Sequence, residues 1–136
     1  NNNGNNPDDN DDNNDDTPVS NNLKITIGPV SFNATLDNNE TAKAFKRLLP
    51  MTVDMSELHG NEKYYYLSKG LPTASSNPGT IRTGDLMLYG STCVVLFYET
   101  FSTSYTYTRL GRITNPSGLA SALGSGGVNV TFEITD

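Results

Sequence analysis

Tryptophan is absent from the 136 residues, and cysteine and histidine occur once each, as Cys93 and His59. A single cysteine excludes an intrachain disulfide and a cysteine-based zinc cluster. A single histidine leaves little room for a histidine-rich metal centre, and any nucleophilic triad would have to be built on it. No Gly-x-Ser-x-Gly elbow precedes a helix, and there is no phosphate-binding loop or dinucleotide fingerprint; Gly124-Ser125-Gly126-Gly127 reads as the turn that closes a helix. No apolar run approaches the roughly 20 residues needed to cross a bilayer as a helix. Basic side chains are missing from the first 22 positions, which hold ten Asn and six Asp. The other nine acidic residues face all nine Lys and Arg, so the net charge of −6 belongs to that opening segment. A formally neutral body has no electropositive face to offer, and no nucleic-acid partner is expected. Nothing in these counts calls for a metal or a cofactor, and none is expected.

Residues 1–22 carry one apolar side chain, Val19. Such a stretch cannot bury enough surface to offset the entropy of ordering it, so a disordered acidic tether is expected there. Asp9, Asp11 and Asn13 alternate as in a calcium loop, but Asn14 stands where that loop needs Gly and no closing Glu follows, so a solvated spacer is the better reading. A polar start that lacks Met is similar to the tether behind the lipidated cysteine of bacterial lipoproteins. The expectation is a location at a bacterial cell envelope or in the periplasm, with a lipid anchor upstream of residue 1. Residues 23–136 are then one domain, long enough for a single core.

The body is punctuated into short segments. Residues 23–28 (LKITIG) and 30–36 (VSFNATL) alternate apolar and polar about Gly28-Pro29, which predicts a hairpin of half-buried strands. Residues 40–49 (ETAKAFKRLL) predict a helix capped by Asn39, with Ala42, Phe45, Leu48 and Leu49 on its apolar face and Pro50 as its stop. Lys43, Lys46 and Arg47 read as its solvated side. Alternation returns over 51–55, a loop over 56–62, and a strand over 63–67 (KYYYL). Residues 68–80 read as loop. Strands follow over 85–89 (DLMLY) and 93–98 (CVVLFY), the second apolar throughout and therefore the most buried. Residues 99–107 form a polar and aromatic excursion, 109–113 another strand, 118–123 a short helix, and 128–134 a cleanly alternating final strand. About eight short strands with two helices point to a mainly β barrel or sandwich. Terminal strands that can pair and remove exposed edges favour the barrel.

The order of these strings resembles the cyclophilin-like fold, most closely the bacterial cyclophilin-like domain proteins, a group distinct from true peptidyl-prolyl isomerases. LKITIGPVSFNATL, NETAKAFKRLLP, MSELHGNEKYYYL, GDLMLYGSTCVVLFYE and LGRITNPSGLASAL carry the resemblance, with GDLMLY and LGRI weighing most. They cover residues 23–134. The resemblance implies a closed eight-stranded barrel capped by a helix at each end. It also implies a site at which true isomerases use an arginine, in a Phe-His-Arg string, to weaken X-Pro amide resonance. Tyr64-Tyr65-Tyr66 stands at the corresponding stretch, without arginine, and Val94–Phe97 replaces the family's Gln-x-Phe. A noncatalytic module that binds a peptide segment or small molecule is therefore expected, with a weak peptidyl-prolyl isomerase as the alternative.

Eight aromatic residues of the body, Tyr64, Tyr65, Tyr66, Tyr89, Tyr98, Phe101, Tyr105 and Tyr107, are the main candidates for a recognition surface. Tyrosine couples an apolar face to a hydroxyl. Strand alternation sends Tyr65 to the face opposite Tyr64 and Tyr66. The residues selected for a ligand groove are Tyr65, Tyr89, Tyr98 and Phe101, with Arg82 and His59 at its rim. Asp85, after Gly84, reads as turn chemistry.

Overall fold

The computed structural model describes residues 19–136. Most of the expected tether, and the calcium-like spacing of Asp9, Asp11 and Asn13, lie outside the described residues. The first strand begins at Asn22, and the Ser20 hydroxyl donates to the Thr135 carbonyl at 2.6 Å.

Ten strands and two helices follow in the order β1 (Asn22–Ile27), β2 (Val30–Leu36), α1 (Glu40–Lys46), β3 (Met51–Leu58), β4 (Glu62–Tyr66), β5 (Thr80–Ile81), β6 (Asp85–Tyr89), β7 (Cys93–Phe97), β8 (Phe101–Ser102), β9 (Thr108–Ile113), α2 (Leu119–Leu123) and β10 (Val128–Thr135). Eight of the strands close into a barrel in the order β1-β10-β3-β4-β7-β6-β9-β2, and β5 and β8 form a separate two-stranded ribbon. All pairings are antiparallel. The first and last strands pair over five positions, from Asn22↔Thr135 to Thr26↔Thr131, which leaves the barrel no free edge.

The two helices occupy opposite ends. The register sets Met51 against Phe132 and Met55 against Val128, so α1, entering β3 at Met51, and α2, entering β10 at Val128, are separated by the length of that strand pair. Asn39 caps α1, its Oδ1 accepting from the Ala42 amide at 2.7 Å. The helix is shorter than the apolar spacing predicts. Beyond Lys46, the Leu48 and Leu49 amides reach back only three residues, to Phe45 and Lys46, as the chain tightens ahead of Pro50. Lys46 is not a solvated residue. It is buried, with Nζ 2.7 Å from Asn21 Oδ1. Burial, and then the charge of Lys43, hold its ammonium below its usual pKa.

The strand reading needs correction in two places. Thr80, read as loop, and Phe101–Ser102, read as part of the excursion, belong to the β5–β8 ribbon. Residues 56–58 are not loop but the end of β3, and only a tight turn through His59, Gly60 and Asn61 joins it to β4. His59 and Gly60 have φ of 57° and 70°, and the Asn61 amide donates to the Leu58 carbonyl at 3.2 Å, so this left-handed pair is the centre of a tight four-residue turn.

Apolar side chains form two layers. Leu23, Ile25, Phe45, Leu86, Leu88, Val94, Leu96, Leu110 and Phe132 belong to the barrel interior, to which α1 and α2 also contribute. Phe45 meets Phe132 edge-on at 5.7 Å. The second layer lies on the outside of the barrel wall: Ile81, Met87, Cys93, Val95, Phe97 and Tyr107, joined by the partly buried Tyr64 and Phe101. Strand β7 is buried on both faces because it separates these layers, which is why its five residues read as an unbroken apolar run.

Candidate functional site

The outer layer is only partly covered, and its open part is the site. Alternation along β7 turns Val94 and Leu96 inward and Cys93, Val95 and Phe97 outward. The register then sets Tyr64 and Tyr66 of β4 beside Val95 and Cys93, and Met87 and Tyr89 of β6 beside the same two residues from the other flank. Residues 101–107 rise as a wall over this surface. That wall is fixed from behind by the Thr103 amide on the Gly79 carbonyl at 2.9 Å, by two bonds between Ser76 and Tyr107 at 2.9 Å each, and by the β5–β8 ribbon.

The result is a groove of about 560 Å³. Tyr64 and Tyr66 line one side, edge to face at 5.7 Å. Tyr89, Tyr105 and Tyr107 line the other, Tyr89 lying 6.1 Å from Tyr105 and 5.6 Å from Tyr107. Cys93 and Val95 also line it, with Phe101 and with His59, Asn61 and Glu62 from the β3–β4 turn. Neither Lys nor Arg is among the lining residues. Asn61 Oδ1 is buried there without a hydrogen-bond partner among the described residues.

Of the residues selected from the sequence, Tyr89, Phe101 and His59 line this groove and Tyr65, Tyr98 and Arg82 do not. Tyr65 packs against the interior cluster, opposite Tyr64 and Tyr66, as the alternation of β4 requires. Tyr98 also packs against the interior cluster. Arg82 is exposed beside β5, where its backbone amide donates to Asp85 Oδ2 at 2.9 Å, the turn expected of the Gly84-Asp85 step. Asp85 is buried and is faced by Arg109 Nη2 at 3.6 Å, while Arg109 Nε lies 3.5 Å from Asp37. Sequence reasoning did not select Tyr64, Tyr66, Tyr105, Tyr107, Glu62 and Cys93. The phase of β4 could have found Tyr64, Tyr66 and Glu62, but Lys63 disguises it, because a lysine normally marks the outer face.

Lys63 is instead fully buried on the inner side of β4. Its Nζ donates to Glu57 Oε1 at 2.9 Å and to the Gly124 and Gly126 carbonyls at 2.8 and 2.6 Å. All three ammonium hydrogens have acceptors, which is the condition for a cation to leave water. The Nζ also lies 5.5 Å from the centre of the Tyr98 ring. Glu57 Oε1 accepts from the Tyr98 hydroxyl at 2.7 Å, and Glu57 Oε2 from the Gly60 amide at 2.6 Å. Burial works against the Glu57 carboxylate, but the bonds from Lys63, Tyr98 and Gly60 and the charge of Lys63 outweigh it and hold its pKa down. Tyr98, half-buried and bonded to that carboxylate, is pushed up to about 12.

A depressed carboxylate pKa stabilises the fold above the unfolded value and is lost as pH falls through the folded one. The expected result is a thermal midpoint that declines as pH drops below the ordinary carboxylate value of 4.5. Glu57→Gln flattens that limb. Calorimetry across acid pH checks it, and an unchanged slope in Glu57→Gln would remove Glu57 from the account.

Glu62 shifts the other way. Burial raises its pKa, the charge of Glu57 adds to the rise, and His59 partly offsets it. No hydrogen bond or ion pair holds the Glu62 carboxylate among the described residues. Cys93 and Tyr107 are also raised, each by burial first and by the charge of Glu62 second; hydrogen bonds involving Tyr66 and Thr103, respectively, work against the rise. The described residues bring no three His, Cys, Asp or Glu side chains together as a metal centre. None of their helices is long and apolar enough to cross a membrane.

A comparison with curated proteins gave no match. Among solved structures, the solution structure of the hypothetical protein AF2241 from Archaeoglobus fulgidus is similar, with a TM-score of 0.62 at 21% identity over 86% of this chain and 96% of that one. That likeness shows the fold. The sequence profile of the Cyclophilin-like family matches residues 25–133, from β1 to β10. With its closed eight-stranded barrel and the order of its elements, the chain belongs to the Cyclophilin-like family.

Proposed function

We propose that this protein is a noncatalytic binding module that takes a peptide segment or small molecule into the outer groove of its barrel. The observation that carries the reading is the groove itself, a concave aromatic surface without Lys or Arg in its lining. Its volume of about 560 Å³ lies within the roughly 300–1,000 Å³ usual for small-molecule sites. Turning an X-Pro bond means overcoming a barrier of about 18–20 kcal/mol, and a cation poised over the amide is the group expected to lower it. The tyrosines offer ring faces and hydroxyls, which bind without doing that work.

Membership in the Cyclophilin-like family supports a second reading, a weak peptidyl-prolyl isomerase. A prolyl-peptide isomerisation assay separates the two. The expected result is the spontaneous rate, unchanged by the protein. Acceleration that disappears in Tyr66→Ala, and survives in Arg82→Ala outside the groove, would establish the enzyme instead. The location at a bacterial envelope remains part of this proposal and rests on the composition of residues 1–22. Fractionation of cells that make the protein from its native gene tests it, and recovery in the cytosol would refute it.

A further inference from the structure

Two carboxylates flank the β3–β4 turn, and the chain treats them in opposite ways. Glu57 has Lys63, the Tyr98 hydroxyl and the Gly60 amide. Glu62 lines the groove and has no such partner among the described residues. Partial desolvation of an anion that has only the charge of His59 nearby and no ion pair costs free energy, and a fold selected for stability alone would pair it more closely.

The rest of the groove lining is also electron-rich. Tyr64 and Tyr66 stand on one flank and Tyr89, Tyr105 and Tyr107 on the other. The faces of their rings carry the negative lobe of the aromatic quadrupole. A bound anion would meet the carboxylate and those faces together. A neutral ligand would strip more water from Glu62 and return at most a hydrogen bond for it. A positively charged guest answers both. Cys93 and Tyr107 support the same field, since the charge of Glu62 makes ionising either of them harder.

We propose that the groove selects an organic ammonium cation of small-molecule size, held between the tyrosine walls with its charge against the Glu62 carboxylate. This rests on the binding reading above and narrows it to a class of ligand. Alkyl groups on the nitrogen suit the site, because they spread the charge, lower the cost of dehydration and pack against rings.

The test compares choline with its neutral carbon isostere, dimethylbutanol, by titration of the protein with ring-labelled tyrosine. Choline is expected to bind about tenfold more tightly than the isostere. Glu62→Gln removes that preference and leaves the isostere unchanged. It also raises the thermal midpoint at neutral pH, because a carboxylate whose folded pKa is raised costs stability once ionised. Tyr66→Leu, at a position 64% exposed and therefore tolerant, weakens choline more than the isostere.

Equal affinity for the two probes, or a preference that survives Glu62→Gln, overturns the cation selectivity while the groove stays a binding site. Failure of both probes to move the groove tyrosines also overturns it. The broader binding reading falls only if a proline-containing peptide leaves those tyrosines unmoved as well.

Discussion

Lys63→Met is expected to destabilise the protein by about 3 kcal/mol, or about 10 °C in thermal midpoint. The substitution keeps volume and removes charge. It leaves the Gly124 and Gly126 carbonyls, between α2 and β10, without the donor that holds them to the barrel. It also leaves Glu57 with a charge that Tyr98 and Gly60 alone must accommodate. Lysine on a surface strand would cost almost nothing to replace, so the size of the loss measures how far Lys63 has left water. In the double variant Glu57→Gln, Lys63→Met the loss should fall short of the sum of the single losses by about 1–3 kcal/mol, because each single change strands the partner. Additive losses would mean that the two side chains do not act as a pair.

Gly111→Ala is expected to cost about 3 kcal/mol or more, by a different route. Gly111 has ordinary strand geometry, so freedom of φ is not the issue. A Cβ built on it drives into the Thr35 carbonyl oxygen and meets Leu36 Cα at 3.0 Å. These are backbone atoms of β2, paired with β9 at Leu36↔Gly111. They can retreat only by parting the two strands. The register between β9 and β6 slips at the same place, where Gly111 pairs with Leu86 but Arg109 with Met87, leaving Leu110 as an extra residue. The bulge and the close approach fall together where the barrel wall bends. A variant unfolding within a degree or two of the parent would show that the strands can part at little cost.

Gly111 belongs to the LGRI string that carried much of the resemblance, so the most demanding backbone position in the barrel was visible in the sequence as a glycine in a strand. The strand spans were legible for similar reasons. In β1, β2 and β10 polar residues alternate with apolar ones, and the interior claims one phase. β7 was legible as buried but not as oriented, because a strand between two apolar layers has no polar phase to mark its faces. That ambiguity misplaced Tyr98. β4 was harder still: Lys63 and Tyr65 share the inner face, and nothing in KYYYL announces that a lysine has been taken inside. Its acceptors come from Glu57 and from a loop some sixty residues away, which no local pattern can convey. Tyr65, selected for the groove, lies on the inner face with that buried charge, and Tyr64 and Tyr66 lie on the groove side.

The seven tyrosines divide cleanly, and the division gives the most direct test of a groove on the outside of the barrel. Tyr64, Tyr66, Tyr89, Tyr105 and Tyr107 line it; Tyr65 and Tyr98 pack against the interior. The measurement is the ring spectrum of the tyrosine-labelled protein, titrated in turn with choline and with a proline-containing peptide. The account predicts saturable shifts in the first five and silence in the other two. Shifts led by Tyr65 or Tyr98, or no shift with either ligand, would contradict it.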